Sequence, residues 1–323
     1  MISNKLLFLT LLTLPRVGRK TAFNFFKTVK VNIENHNDLY SLIQEHICAG
    51  QKFPNVSKEL VQDGFNKSKS LINKNIENNN VIITYGDNNY PKKIRNIEDP
   101  PLILYAKGNV HALENDNSVA VIGKRKVSKY GYNASYKVGF DLAKNNIVVV
   151  SGLALGCDTQ AHKGCVDANG IGVAVLAHGL DQIHPSSNKK LVDQIVEKNG
   201  LLISEYPLGS SPSKFNYVER DRIQSGLSDA VMILETDEIG GTMKTVKFAE
   251  KQKRPLGILD YPPEAYEQGI ALGNRTLIKE KRGYRFNLDE NVTSFFKNIT
   301  QDKASYLQGN EIKSKPIQEG FNF

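Results

Sequence analysis

Glycines and cations recur at one kind of place in this chain, immediately after runs of apolar residues. Gly123-Lys124-Arg125 follows Val119-Ala120-Val121-Ile122, and Ser151-Gly152-Leu153 follows Ile147-Val148-Val149-Val150. Gly240-Gly241-Thr242 stands one loop beyond Val231-Met232-Ile233-Leu234. Glycine lets a backbone approach a ligand closely. The start of a helix offers unpaired N–H groups and the positive end of a dipole, which suit phosphate oxygens. Arg125 adds a planar fork of donors that matches a phosphate, with Lys124 and Lys126 beside it. The chemistry on offer is anion binding.

A second segment, Lys214-Phe215-Asn216-Tyr217-Val218-Glu219-Arg220-Asp221-Arg222, interleaves cations with aromatics. Cations on phosphates and aromatic faces on bases are how a protein holds a single strand without reading its sequence. Phe215 and Tyr217 serve equally well as core residues. On a helix, Arg220 and Arg222 cannot share a face. One of them is free to reach a ligand while the other braces Asp221, Glu219 or a carbonyl.

Catalytic patterns are lacking. No G-x-G-x-x-G follows Ile122, and no G-x-x-x-x-G-K-[ST], H-E-x-x-H or G-x-S-x-G occurs, so no nucleotide cofactor, metal or nucleophile elbow is expected. His162 reads as structural, and His178 and His184 as packing or hydrogen-bonding residues. Asp158, just after Gly156, suits the first turn of a helix, where it complements the dipole.

These residues need a scaffold. Apolar runs at 119–122, 147–150, 173–176, 201–203, 231–234 and 256–259 are continuous rather than alternating, as in parallel strands covered on both faces. The intervals between them are long enough for crossover helices. The expected fold is α/β: an extended, Rossmann-like, doubly wound and mostly parallel sheet with a small N-terminal helical domain. The expected partition is a helical domain at 1–75, lead-in strands and linker at 76–115, the Rossmann-like core at 116–285 and a polar tail at 286–323. Ligands in such sheets bind beyond the carboxyl ends of the strands, where the glycine loops fall.

Composition is compatible. The chain has 323 residues, 40% hydrophobic and 24% charged, enough for a large core. A formal net charge of +8 suits a polyanionic partner without naming one. Three cysteines, Cys48, Cys157 and Cys165, make no disulfide framework and no zinc pattern, which suggests a reducing, cytoplasmic setting. The apolar stretch 1–14 is too short to span a membrane and lacks a cleavage signal. It reads as the first helix of a folded domain.

Many short motifs, taken in order, resemble the DNA-processing protein DprA (Smf) family. They are Tyr90-Pro91, Asp99-Pro100-Pro101, Lys107-Gly108, Val119 to Arg125, Ser128 to Gly131, Val149 to His162, Leu180 to Asn188, Ser204 to Gly209, Glu219 to Arg222, Gly226 to Asp229 and Gly240 to Met243. The resemblance implies sequence-independent binding of single-stranded DNA, homodimerisation and delivery of DNA to the RecA recombinase during natural transformation. It assigns phosphate contacts to Gly123, Lys124, Arg125, Lys214, Arg220 and Arg222. The strand-end argument adds Ser151, Gly152, Gly240, Gly241 and Thr242. The chain departs from the family pattern at Lys124, where serine is usual, at Leu155, where arginine is usual, and at Asp221, where asparagine is usual. The gain of a cation at 124 is expected to offset the loss at 155. Leu14 to Ala22 looks like a helix-hairpin-helix turn, with Arg16 where glycine is common. It is either a phosphate contact or a purely structural hairpin. Two rival readings use the same rim, a mononucleotide sensor and a nucleotide phosphoribohydrolase. The hydrolase needs a glutamate where this chain has Thr245.

Overall fold

A computed structural model describes residues 3–28, 33–289 and 291–301. In chain order the elements are α1 (Asn4–Thr13), α2 (Arg19–Thr28), α3 (His36–Cys48), α4 (Lys58–Glu77), β1 (Val81–Thr84), α5 (Lys92–Arg95), β2 (Ile103–Gly108), β3 (Ser118–Ile122), α6 (Lys129–Lys144), β4 (Val148–Ser151) and α7 (Cys157–Asp167). There follow β5 (Gly172–Leu176), α8 (Lys189–Glu197), β6 (Leu201–Ser204), α9 (Lys214–Gly226), β7 (Ala230–Ile233), α10 (Gly241–Lys251), β8 (Leu256–Leu259), α11 (Pro263–Glu267), α12 (Leu272–Lys279), β9 (Tyr284–Phe286) and α13 (Val292–Gln301). The class is the mixed, mostly parallel α/β fold that the apolar runs predict.

The chain divides into two compact units. The first comprises the described residues from 3 to 116 with 173–223. Its helices begin with α1, whose Leu7, Phe8, Leu9 and Leu11 are buried. Asn35 caps α3 with a reciprocal Asp38 bond. In the strand layer β1 pairs with β2 and β2 with β6, both antiparallel, while β5 and β6 are parallel.

The second unit comprises residues 117–172 with the described residues from 224 to 301. Its strands run β4-β3-β7-β8-β9, all parallel. Successive side chains of a strand point to opposite faces, and both faces here are dry. Val119 and Val121 of β3 and Met232 of β7 join one core with α6, α7 and α13. Ala120 and Ile122, with Val231 and Ile233, join another under α10 and α12. This two-sided burial is why the strands read as continuous apolar runs. Asn274 on α12, wholly buried, ties the strand ends: its amide donates to the Leu234 and Leu259 carbonyls at 3.2 and 2.9 Å.

Two parts of the expected partition come out differently. Residues 292–301, assigned to a polar tail, form a helix with Val292, Phe296 and Ile299 buried. The average polarity of the segment hid an amphipathic stripe at helical spacing. Residue 286 already lies in β9. The rest of the proposed tail, 302–323, lies outside the described residues. Second, residues 173–223, placed in one core with 116–172, pack as a unit with the described residues from 3 to 116.

Helices α6 and α7 approach closely at two glycines. A methyl group on Gly139 would lie 2.1 Å from the Ala161 carbonyl oxygen, and one on Gly164 would lie 2.1 Å from that of Tyr136. We expect Gly139→Ala to destabilise the protein by about 2 kcal/mol through overpacking, against a gain of about 1 kcal/mol in helix propensity. Urea denaturation should show a lowered midpoint, and a raised one would contradict the close approach.

Candidate nucleic-acid interface

In the second unit, three loops leave the carboxyl ends of the adjacent strands β4, β3 and β7. They interlock through glycine. A methyl group on Gly123 would sit 2.2 Å from the Cys157 sulfur, and Gly156, at φ +81°, leaves no room against the carbonyl oxygens of Lys124 and Arg125. The Lys124 amide donates to the Glu235 carbonyl at 2.8 Å, and the Leu234 amide to that of Ile122 at 2.9 Å.

Beneath the first loop lies Glu235, two positions past the end of β7 and wholly buried. Its carboxylate accepts from the Ser128 amide at 3.1 Å and the Tyr261 hydroxyl at 2.9 Å, and it pairs with Lys124 Nζ at 3.0 Å. Lys124 Nζ also lies 3.1 Å from Asp237. Burial alone would lower the Lys124 ammonium, but its bonds to Glu235 and Asp237 outweigh that and hold it above the ordinary lysine value. Burial, then the charge of Glu235, pushes the Tyr261 phenol up.

The Lys124 side chain therefore neutralises an internal carboxylate, and the expected compensation for Leu155 is absent at this position. Leu155 itself is exposed. Arg125 and Lys126 lie on the exposed surface of the same loop.

The second loop is also engaged internally. Ser151 is buried and its hydroxyl donates to the Val121 carbonyl at 2.7 Å. The Gly152 and Ala154 amides donate to Asp158 Oδ2 at 3.1 and 3.3 Å. Asp158 thus occupies the amide of Gly152, which was expected to meet a phosphate, in keeping with its structural reading. The third loop differs. Gly240 and Gly241 are exposed with open space around them, and no side chain caps α10. Thr242 is half-buried in the first turn, and Thr245 is buried one turn on.

In the first unit, the part of α9 as far as Ile223 changes character along its length. Lys214 is exposed at its start, and Phe215 is 68% exposed. That settles Phe215 as a surface residue, whereas Tyr217 is half-buried. Farther along, both arginines turn inward. Arg220 is buried, donates to the Val175 carbonyl at 2.6 Å and lies 3.2 Å from Asp221. Arg222 is buried and its Nη2 bridges the carboxylate of Glu205, 2.8 and 2.7 Å from the two oxygens, while its Nε donates to the Asp99 carbonyl at 2.8 Å. The expectation that one of the pair would reach outward is revised: both brace the protein. His178 is buried, its Nδ1 3.0 Å from the Gly179 carbonyl, and burial lowers its pKa.

Glu235 and Glu205 were missed as organising residues. The available signal was position, since each is a carboxylate within two residues of the end of a buried strand. Among the described residues no group of acids, histidines and cysteines could hold a metal ion. No described helix is long and apolar enough to cross a membrane.

The family model for DNA recombination-mediator protein A matches residues 81–297. Protein Smf of Synechocystis sp. is 36% identical over 194 residues, 59% of this chain and 48% of that protein. The chain thus spans about half the length of that relative. A solved structure of DNA processing protein A from Helicobacter pylori, described by its single-stranded DNA binding mode, aligns with a TM-score of 0.60 at 28% identity, over 69% of this chain and 96% of that one. The corresponding protein from Streptococcus pneumoniae aligns with a TM-score of 0.65 at 26% identity, over 86% and 98%.

We expect Lys124→Ser to cost about 3 kcal/mol of stability, because it strands a buried carboxylate without its cation. Adding Glu235→Gln should recover part of that loss in urea melts. Equal stability of Lys124→Ser and the parent would show that Lys124 does not serve Glu235.

Proposed function

The chain belongs to the DNA recombination-mediator protein A family, and from that premise we propose that it binds single-stranded DNA without regard to sequence. The observation that carries this reading is the exposure of Arg125 and Lys126 on a loop whose third cation, Lys124, is turned inward. A guanidinium at a rigid loop tip holds phosphate as a bidentate donor at small entropic cost. The open glycines at the start of α10 supply a second place for a phosphate oxygen. Lys214 and exposed Phe215 supply the cation and the base-facing ring that a single strand uses.

In this reading Gly123, Arg125, Gly240, Gly241 and Thr242 are the phosphate contacts of the second unit, and Lys214 is the phosphate contact of the first. Lys124, Ser151, Gly152, Arg220 and Arg222 hold those residues in place through their internal bonds. Delivery of the bound strand to the RecA recombinase, action as a homodimer and residence in the cytoplasm complete the proposal, on the strength of family membership.

Arg125→Ala should weaken binding about tenfold at low salt, equally for oligothymidylate and for a mixed-sequence strand, since bonds to phosphate carry no sequence information. The slope of log affinity against log salt should flatten by about 0.7 for each phosphate that is no longer neutralised. Fluorescence anisotropy reads both. Unchanged affinity would remove Arg125 from the site. A shallow slope in the unmutated protein, with equal binding of a mononucleotide, would favour a nucleotide sensor instead.

A further inference from the structure

The hairpin at 14–22 carries a cation that the proposed DNA site does not use. Arg16 adopts φ +62°, the left-handed conformation that such a turn requires. Val17 packs inward, and its amide donates to the Leu14 carbonyl at 3.2 Å. Arg19, the first residue of α2, turns into the first unit and meets three carboxylates. Its guanidinium donates to Asp99, to Glu219 and, at 3.3 Å, to Glu205. Arg222 holds the same Glu205 and the backbone of Asp99 from the other side. Two guanidinium groups thus serve three carboxylates, which leaves one negative charge in excess within the cluster.

The elements joined this way are far apart in sequence: the hairpin, the turn before β2, the end of β6 and the body of α9. Glu219 is the first charged residue of α9 after Lys214. The anchors beyond it, Arg220 and Arg222, fix the later turn. The exposed end of α9, with Lys214 and Phe215, is therefore steadied from the hairpin through Arg19. Burial lowers the Arg19 guanidinium, but the surrounding carboxylates more than reverse this, so it stays charged at any pH the protein meets.

We propose that Arg19 is a positioning residue for nucleic-acid binding, an electrostatic latch by which the N-terminal hairpin holds α9 so that Lys214 and Phe215 face the strand. This assigns the hairpin a bracing role in place of a phosphate contact. It rests on the proposed binding of single-stranded DNA at α9. Lysine at 19 keeps the charge but loses the fork, so it cannot reach three carboxylates at once. Glutamine removes the charge and leaves one cation against three acids.

The test is a double-mutant cycle between Arg19→Gln and Lys214→Ala, read by anisotropy with oligothymidylate at low salt, with hydrogen exchange of the α9 amides alongside. Arg19→Gln should speed exchange in the first turns of α9 and weaken binding about tenfold, and Lys214→Ala should then cost much less than it does in the parent. Arg19→Lys should recover part of the affinity. Equal costs of Lys214→Ala in both backgrounds would overturn the latch while leaving the α9 binding site standing. No cost of Lys214→Ala in the parent would overturn the α9 site, and the latch with it. If Arg19→Gln fails to fold, the Arg19→Lys protein carries the same cycle, with a smaller change expected and the same additive result against it.

Discussion

A carboxylate removed from water must find a cation and hydrogen-bond donors within reach, and Glu235 is the point on which the second unit is organised. The penalty of an unpaired buried charge far exceeds that of a misplaced loop. Lys124 from the loop after β3, Ser128 from the start of α6 and Tyr261 from beyond β8 all converge on this one group. Three chain segments are thereby fixed relative to β7. Gly131 is part of the same arrangement, since a methyl group there would lie 2.2 Å from Glu235 Oε2.

The first unit solves a similar problem with two cations and three acids. Glu205, almost fully enclosed after β6, accepts at both oxygens from Nη2 of Arg222 and at one of them from Nη1 of Arg19. The two inward arginines of α9 also donate hydrogen bonds to the backbone carbonyls of Val175 and Asp99. Arginine suits this work because its donors are planar and its charge is permanent.

Functional exposure follows from these internal commitments. A cation already paired with a buried acid has little left to offer a phosphate. Of the cations that the sequence placed at the candidate site, Arg125 and Lys214 are exposed, with Lys126 beside Arg125, while Lys124, Arg220 and Arg222 turn inward. The exposed cations are borne on loops and helix starts whose backbones are held by glycine packing and buried ion pairs. Preorganisation of this kind lowers the ordering cost of holding a flexible strand.

The α/β class, the positions of the parallel strands and the strand-end loops were legible in the sequence, because two-sided burial demands continuous apolar runs and chain reversals demand glycine. The ordered motifs also carried the family. The direction of each charged side chain was not legible. Whether Lys124, Arg220 and Arg222 face solvent or protein depends on partners more than a hundred residues away in the case of Lys124 with Glu235, and on the backbone carbonyls of Val175 and Asp99 for the arginines. Local spacing contains no record of such partners. The helix at 292–301 escaped for a related reason: its stripe of apolar residues acquires meaning only against the sheet face that it covers. Periodicity settles which residues are buried, and tertiary structure alone decides which charges are spent inside.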